Sequence, residues 1–193
     1  VIADKCPQIN VEVVDLDEER IDRWNDINLD KLPIFEPGLA EIVERCRGKN
    51  LNFSNQIHEK IKNADIVFIS VNTPTKKKGL GAGKASDLKW VEACARQVAE
   101  FAEGHTIVVE KSTLPVRTAE VIDEILQVSV ESKNNNKTFD VLSNPEFLSE
   151  GSAINDLLNP DRVLIGGRDE KAIDCLSEIY TNWVNPDKIL RTN

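Results

Sequence analysis

The chain has 193 residues, with 24 Lys and Arg against 33 Asp and Glu, four cysteines and no methionine. A net charge of −9 argues against a surface that tracks nucleic-acid phosphates, and a hydrophobic content of 40% argues against a disordered or fibrous chain. The apolar runs are far shorter than the roughly 20 residues of a membrane span, and the N-terminus has no signal-like layout. We therefore expect one large cytoplasmic domain that contacts neither membrane nor nucleic acid.

Short β-branched runs alternate with helical stretches along the chain, which is typical of βαβ units and predicts an α/β fold with a mostly parallel sheet. Strands are predicted at residues 11–15, 50–54, 65–72, 106–110, 139–143, 163–165 and 188–192. Helices are predicted at residues 18–25, 41–47, 59–63, 87–103, 118–128, 149–158 and 170–183, and residues 1–6 are expected to be the end of another helix.

Two features that invite a functional interpretation are better explained by structure. The loop 76–84 is rich in glycine and lysine, but it lacks the register of a P-loop, so we predict a surface lid. The four cysteines have neither the pairing nor the spacing of a disulfide or zinc site. Cys94 and Cys175 lie in apolar helical patterns, where a thiol usually packs as a small buried hydrophobe.

Ligands of open α/β sheets bind beyond the carboxyl ends of the strands, so the residue after each strand is a candidate. Asp15 ends the strand at 11–15, where an acidic side chain can accept hydrogen bonds from the ribose hydroxyls of an adenine dinucleotide. Asp15 could equally cap the next helix, for which Asp17 is also available. Arg20 lies one turn further and could cover the adenosine or remain solvated.

Three later strand ends also carry polar residues. Residues 71–75 (VNTPT) would expose backbone amides and side-chain donors at the sheet edge, or act as caps. Ser112 and Thr113 could cap a helix or hold a water. Glu146 and Glu150 would share one face of a helix start, and a partly desolvated carboxylate beside a nicotinamide suits proton transfer. Solvated carboxylates are the alternative.

Taken together, these motifs resemble the N-terminal NAD-binding domain of the UDP-glucose/GDP-mannose dehydrogenase family. The likeness covers residues 2–193 and is carried by VVD, LPIFEPGL, ISVNTPT, EKSTLPV, VLSNPEFLSEG and NPDRVLIGG, in that order. RGKNLNFS, LGAGKASDLK and EACAR make it most similar to the UDP-glucose 6-dehydrogenases within that family. The resemblance implies a Rossmann-like, doubly wound sheet.

The resemblance also implies an activity: oxidation of UDP-glucose to UDP-glucuronate by a homo-oligomeric enzyme with NAD as cofactor and without a metal. Glu146 and Thr113 would be catalytic, holding the water used in proton transfer and thioester hydrolysis. The residues bordering the sugar would be Glu146, Phe147, Leu148, Ser149 and Glu150. The cofactor-binding residues would be Asp15, Arg20, Val71, Asn72, Thr73, Pro74, Thr75, Ser112, Thr113, Leu114 and Glu150.

The chain also departs from the family pattern. It begins inside the helix that follows the family's first strand and glycine-rich loop, and none of its cysteines matches the family's catalytic segment. We therefore expect residues 1–193 to be a partial dinucleotide-binding domain of a longer enzyme, inactive and weak in NAD binding by itself, with open edges on the strands at 11–15 and 65–72. Another nucleotide-sugar 6-dehydrogenase, or a catalytically dead binding or assembly module, is the alternative.

Overall fold

A computed structural model describes residues 1–74, 86–112, 118–133 and 136–192 of the chain. Length alone predicts one domain, and the contacts within the chain group into two compact units. Unit 1 comprises Val1–Lys60, Phe147–Val163 and Leu176–Ile189, and unit 2 comprises Ile61–Glu146, Leu164–Cys175 and Leu190–Asn193.

Strands and helices alternate as the sequence predicts. The strands are β1 Val11–Val14, β2 Leu51–Ser54, β3 Ile66–Ile69, β4 His105–Glu110, β5 Thr138–Ser143, β6 Val163–Gly167 and β7 Ile189–Thr192. The α-helices are α1 Ile2–Lys5, α2 Glu18–Asn25, α3 Leu39–Cys46, α4 Ile57–Lys62, α5 Lys89–Phe101, α6 Thr118–Lys133, α7 Ala153–Leu158 and α8 Glu170–Thr181, with 3-10 turns at Leu29–Lys31 and Pro186–Lys188.

The strands of the described residues form two sheets. β1 pairs with β2 in parallel, and the second sheet has the order β3-β4-β5-β6-β7, in which the β3–β4 and β4–β5 pairs are parallel. The β5–β6 pair is antiparallel, so the sheet is mixed. Within the described residues β1 has one neighbour, β2, and β3 has one neighbour, β4, which leaves an open edge on each strand as the resemblance predicts.

The core of unit 1 forms where α1 and α3 pack near the small sheet. Ala3, Ile42, Cys46 and Leu51 are buried together, and partly buried side chains including Phe53 pack against them. The side-chain amide of Asn50 donates to the backbone carbonyls of residues 3 and 9, at 2.8 and 3.0 Å, so it satisfies acceptors where α1 ends.

The core of unit 2 follows from the apolar stripe that the sequence places on α5. Val91, Ala95 and Val98 are buried on that stripe, and the contacts of α5 are mainly with α6 and β3. β4 is buried along almost its whole length, with Val108 and Val109 fully shielded from solvent. Such continuous burial is typical of a strand covered on both faces.

Several expectations about local structure are wrong. The strand predicted at 65–72 ends at Ile69, and the helix predicted at 149–158 begins at Ala153. Cys175 is exposed and Cys94 is half-buried, whereas both were expected in the core. None of the four cysteines, all of which lie in the described ranges, forms a disulfide. The lid predicted at 76–84 lies wholly outside the described residues.

Candidate functional site

Asp15 lies immediately after β1 in unit 1 and is held by two donors. Its Oδ2 accepts a hydrogen bond from Arg20 Nη1 at 2.8 Å, and its Oδ1 accepts one from the backbone NH of Asp17 at 3.0 Å. Asp17 is the N-cap of α2, because its side chain accepts from the backbone NH of Arg20. The capping role is therefore taken by Asp17, and Asp15 is oriented by the start of the helix.

This arrangement leaves Asp15 able to accept further hydrogen bonds. Each carboxylate oxygen has two acceptor positions, and the contacts to Arg20 and Asp17 occupy one on each oxygen. The Asp15 side chain is 32% exposed, so these acceptor positions are accessible to a ligand. Arg20 is not simply solvated, because its guanidinium is paired with Asp15.

The predicted residues after β3 and β4 meet in unit 2. Ser112 is buried, and its Oγ donates to the carbonyl oxygen of Val71 at 2.9 Å. Asn72 and Pro74 are exposed, while Thr73 is half-buried. Thr75, Thr113 and Leu114 lie outside the described residues. Ser112 thus ties the two strand ends together instead of presenting its hydroxyl to solvent.

A group of polar and charged side chains lies at the ends of β4 and β5, and the sequence analysis singled out only one of them, Glu146. We call Glu110, Lys111, Ser143 and Glu146 the Glu110 cluster. Glu110 is 4% exposed, and its Oε2 accepts a hydrogen bond from Ser143 Oγ at 3.2 Å. Its Oε1 is buried and has no hydrogen-bond partner among the described residues. Burial, reinforced by the nearby charge of Glu146, raises the pKa of Glu110 to about 7.

Glu146 belongs to the same cluster, and its Oε2 is also buried without a hydrogen-bond partner among the residues described. Lys111 Nζ donates to the backbone carbonyl of Asn144 at 3.1 Å, and the buried Asn144 side chain donates to the carbonyl of Leu164 at 2.8 Å. Burial lowers the pKa of Lys111, although the charges of Glu146 and Glu110 oppose that shift. The backbone that leads to Glu146 is therefore anchored from two sides.

The four predicted residues that follow, Phe147, Leu148, Ser149 and Glu150, belong to unit 1 and are exposed. They precede α7 as an irregular loop, so the expectation that Glu146 and Glu150 share a helix face is wrong. A positive φ of 86° at Gly151 is a left-handed conformation that interrupts a right-handed helix.

Glu36, another residue that the sequence analysis left out, holds the end of this loop. Its carboxylate accepts hydrogen bonds from the backbone NH groups of Gly151 at 2.8 Å and Ala153 at 3.3 Å. Asp156 accepts from the NH of Ser149 at 3.0 Å. These carboxylates satisfy amides before and at the start of α7, which fixes where the helix begins.

Within this loop, the Phe147 ring contacts a guanidinium group. The Arg162 guanidinium lies 4.7 Å from the centre of the Phe147 ring, a cation–π distance, although Phe147 is still 51% exposed. Leu148 is 39% exposed.

Glu110, Lys111 and Glu36 all lie inside motifs that the sequence analysis quotes, EKSTLPV and LPIFEPGL. The signal that could have identified Glu110 was its place at the end of β4, directly after the apolar residues 107–109. A charged side chain there is either buried or exposed according to strands far away in sequence.

Two other kinds of site are absent from the described residues. No helix in these ranges is long and apolar enough to cross a membrane. Nor do the described residues contain a group of three or more His, Cys, Asp or Glu side chains able to hold a metal ion.

Comparison with known proteins identifies the family. The model of the UDP-glucose/GDP-mannose dehydrogenase family, NAD binding domain, matches residues 1–184. The chain belongs to this family. The match confirms the Rossmann-like α/β fold and NAD as the cofactor for which the domain is built.

Similar proteins include UDP-glucose 6-dehydrogenase of Gallus gallus, which is 55% identical over 197 residues, and UDP-glucose 6-dehydrogenase 1 of Arabidopsis thaliana, 55% identical over 199 residues. Each alignment covers the whole chain but only 39% and 40% of the respective relative. The chain therefore spans about two fifths of the length of the curated relatives it matches.

Solved structures show the same domain. A UDP-glucose dehydrogenase from Pyrobaculum islandicum superposes with a TM-score of 0.83 at 32% identity, over 100% of this chain and 42% of its own. A GDP-mannose dehydrogenase from Pseudomonas aeruginosa gives 0.82 at 27% identity, over 100% of this chain and 43% of its own.

Proposed function

We propose that this chain is part of a UDP-glucose 6-dehydrogenase, which oxidises the 6-hydroxymethyl group of UDP-glucose to the carboxylate of UDP-glucuronate with two NAD+. The observation that carries the proposal is the identity of about 55% to proteins of that name along the whole chain. Among the solved structures, the identity is 32% to a UDP-glucose dehydrogenase and 27% to a GDP-mannose dehydrogenase.

The adenosine end of NAD is assigned to Asp15 and Arg20. Asp15 keeps one acceptor position on each oxygen, which suits the two hydroxyls of an unphosphorylated ribose. A 2′-phosphate would instead meet the Asp15 carboxylate as a like charge. The fit of these two residues supports NAD over NADP.

Further along the cofactor we assign Val71, Asn72, Thr73, Pro74, Thr75, Ser112, Thr113, Leu114 and Glu150, as the family resemblance implies. The Ser112 to Val71 hydrogen bond supports the first part of this assignment, because it holds the ends of two adjacent strands in one place. When bound, NAD+ supplies the hydride acceptor, and the protein supplies orientation and proton transfer.

Glu146 is assigned the acid–base role, together with Thr113. The buried Oε2 of Glu146, without a hydrogen-bond partner among the described residues, can accept a proton from a water or hydroxyl group that reaches it. Phe147, Leu148, Ser149 and Glu150 would border the sugar. Glu36 would keep that loop in place through its two backbone contacts.

The test uses a dehydrogenase of full family length that carries this sequence. We expect NADH formation with UDP-glucose, two NADH per sugar, and at least a hundredfold lower kcat/KM with GDP-mannose or UDP-N-acetylmannosamine. Preference for either of those sugars would assign the chain to another nucleotide-sugar dehydrogenase. NAD binding without turnover of any of the three would indicate a binding module.

Two broader assignments rest on the sequence and the family resemblance. We propose that the enzyme is cytoplasmic and that it is a homo-oligomer. Fractionation of cells that express the full-length protein and its sedimentation behaviour test these two points.

A further inference from the structure

Glu110 is a buried acid to which the proposed reaction assigns no task. Only 4% of its surface is exposed, and Ser143 Oγ provides one hydrogen bond to Oε2 at 3.2 Å. Its Oε1 is buried without a partner in the described part of the chain. A buried carboxylate normally requires several donors or a counter-charge, whereas the neutral acid requires fewer donors and itself supplies one.

The elements around Glu110 determine which charges act on it. Ile69 of β3 is its Cα partner on one side and carries no charge, and Ser143 of β5 is its partner on the other side. The charged groups that influence the carboxyl are Glu146, which follows β5, and Lys111, the next residue along β4. The cluster therefore has two carboxyl groups and one ammonium group.

Ionisation of Glu110 is unfavourable for two reasons. The buried carboxylate would lose its hydration, and it would be repelled by the charge of Glu146. Of the two, Glu110 is the more deeply buried, and Glu146 is half-buried. The proton is more stable on the more deeply buried group because the charge then remains where solvent can reach it.

We propose that Glu110 is a positioning residue for Glu146: it holds the proton of the pair, so that Glu146 carries the negative charge opposite Lys111. Its kinetic consequence rests on the proposed function, in which Glu146 is the base. With one carboxylate and one ammonium, the cluster has no net charge. Ionisation of Glu110 would add a second negative charge near Glu146 and Lys111.

The pKa of about 7 that burial and Glu146 give to Glu110 places this ionisation in the neutral range. The ionisation of Glu110 would appear in the pH dependence of turnover.

The first measurement is spectroscopic and does not depend on activity. In the full-length protein with 13C-labelled glutamate side chains, infrared difference spectra at pH 6 should show a protonated carboxyl band that disappears in Glu110→Gln. Its absence in the unsubstituted protein at pH 6, or its persistence in Glu110→Gln, would overturn the proposal. Because no substrate is involved, this result stands even if UDP-glucose is not the substrate.

The second measurement is the pH profile of kcat in the same protein. Gln reproduces the shape and neutrality of the protonated acid, whereas Leu removes its polar atoms. We expect the inflection near neutral pH to vanish in Glu110→Gln, and kcat of Glu110→Leu at pH 6 to fall at least tenfold below that of Glu110→Gln. Glu100→Gln, at an exposed position on α5, is the matched control and should keep the inflection.

An inflection that survives in Glu110→Gln, with the same midpoint, would overturn the positioning role. A loss of kcat of a hundredfold or more in Glu110→Gln at every pH would also overturn it, because Glu110 would then transfer a proton itself. If Glu110→Leu does not fold, the comparison between Glu110→Gln and the unsubstituted enzyme still decides the question.

Discussion

Replacing Asp15 by Asn should weaken the preference for NAD+ over NADP+ without unfolding the domain. Asn retains Oδ1, so the hydrogen bond from the Asp17 backbone NH at 3.0 Å can persist. The other oxygen becomes an NH2 group, which cannot accept from a ribose hydroxyl or from Arg20. The Asp15–Arg20 pair is half-exposed, with side chains 32% and 52% accessible, so its loss should cost at most about 1 kcal/mol of stability.

The effect on the cofactor should be larger than the effect on stability. A hydrogen bond to a charged group contributes roughly 1.5–3 kcal/mol, and 1.4 kcal/mol is a factor of about ten. Losing one ribose contact therefore predicts a fall of roughly 10- to 100-fold in kcat/KM for NAD+. With NADP+ the like-charge repulsion is removed, and Arg20, released from Asp15, can pair with the 2′-phosphate.

The assay measures kcat/KM with both cofactors at saturating UDP-glucose in the full-length enzyme. The unsubstituted enzyme should prefer NAD+ by at least about a hundredfold, since two charged hydrogen bonds and a repulsion are involved. Asp15→Asn should lower this ratio at least tenfold. Asp22→Asn, an exposed change on α2, should leave the ratio unaltered. Equal use of both cofactors by the unsubstituted enzyme, or an unchanged ratio in Asp15→Asn, would refute the reasoning.

Four further outcomes are expected. Glu146→Gln should lower kcat by roughly 10² to 10⁴ with little change in UDP-glucose affinity, and unaltered turnover would leave Glu146 a structural carboxyl. Glu36→Gln should raise KM for UDP-glucose several-fold, because a charged acceptor of two loop amides is lost; an unchanged KM counts against this positioning. Gly167→Ala would drive its new methyl into the fully buried Leu142 side chain and should cost about 1–3 kcal/mol by denaturant unfolding, and unchanged stability would contradict this packing. Folding raises the pKa of Glu110 from 4.5 to about 7, so the unsubstituted protein loses stability as the pH rises through this interval. The free energy of unfolding of Glu110→Gln should therefore increase relative to that of the unsubstituted protein by up to about 3 kcal/mol between pH 4.5 and 8. A difference that does not change with pH would contradict this prediction.

The local sequence pattern was sufficient to predict the order of the strands and helices. The apolar stripe on α5 and the β-branched run of β4 carry their periodicity within a dozen residues, so both could be predicted from the sequence. The N-cap at Asp17 was predicted for the same reason, because the donor it satisfies lies three residues away. The ordered series of motifs was enough to predict the family and its cofactor, which the family match confirms.

The exact start of α7 required contacts that are distant in sequence. Glu36 accepts hydrogen bonds from backbone amides 115 and 117 residues later in the chain. The sequence pattern near Ala153 does not predict that contact. The open edges of β1 and β3 depend in the same way on which strands are neighbours, although the family resemblance predicted them. The assignments of NAD and sugar contacts remain predictions for the assays above.

Composition and spacing determined that this chain is an acidic α/β protein with polar residues after its strands. Only the tertiary structure decided which of those residues are buried together. Glu110 is the clearest example. In the sequence it is an ordinary charged residue, yet burial raises its pKa, the hydrogen bond from Ser143, 33 positions away, lowers it, and the charge of Glu146 raises it. The sequence gives the type of each side chain, but desolvation and charge interactions depend on all the atoms that folding brings near it. The pKa of Glu110 could therefore be assigned only from the tertiary structure.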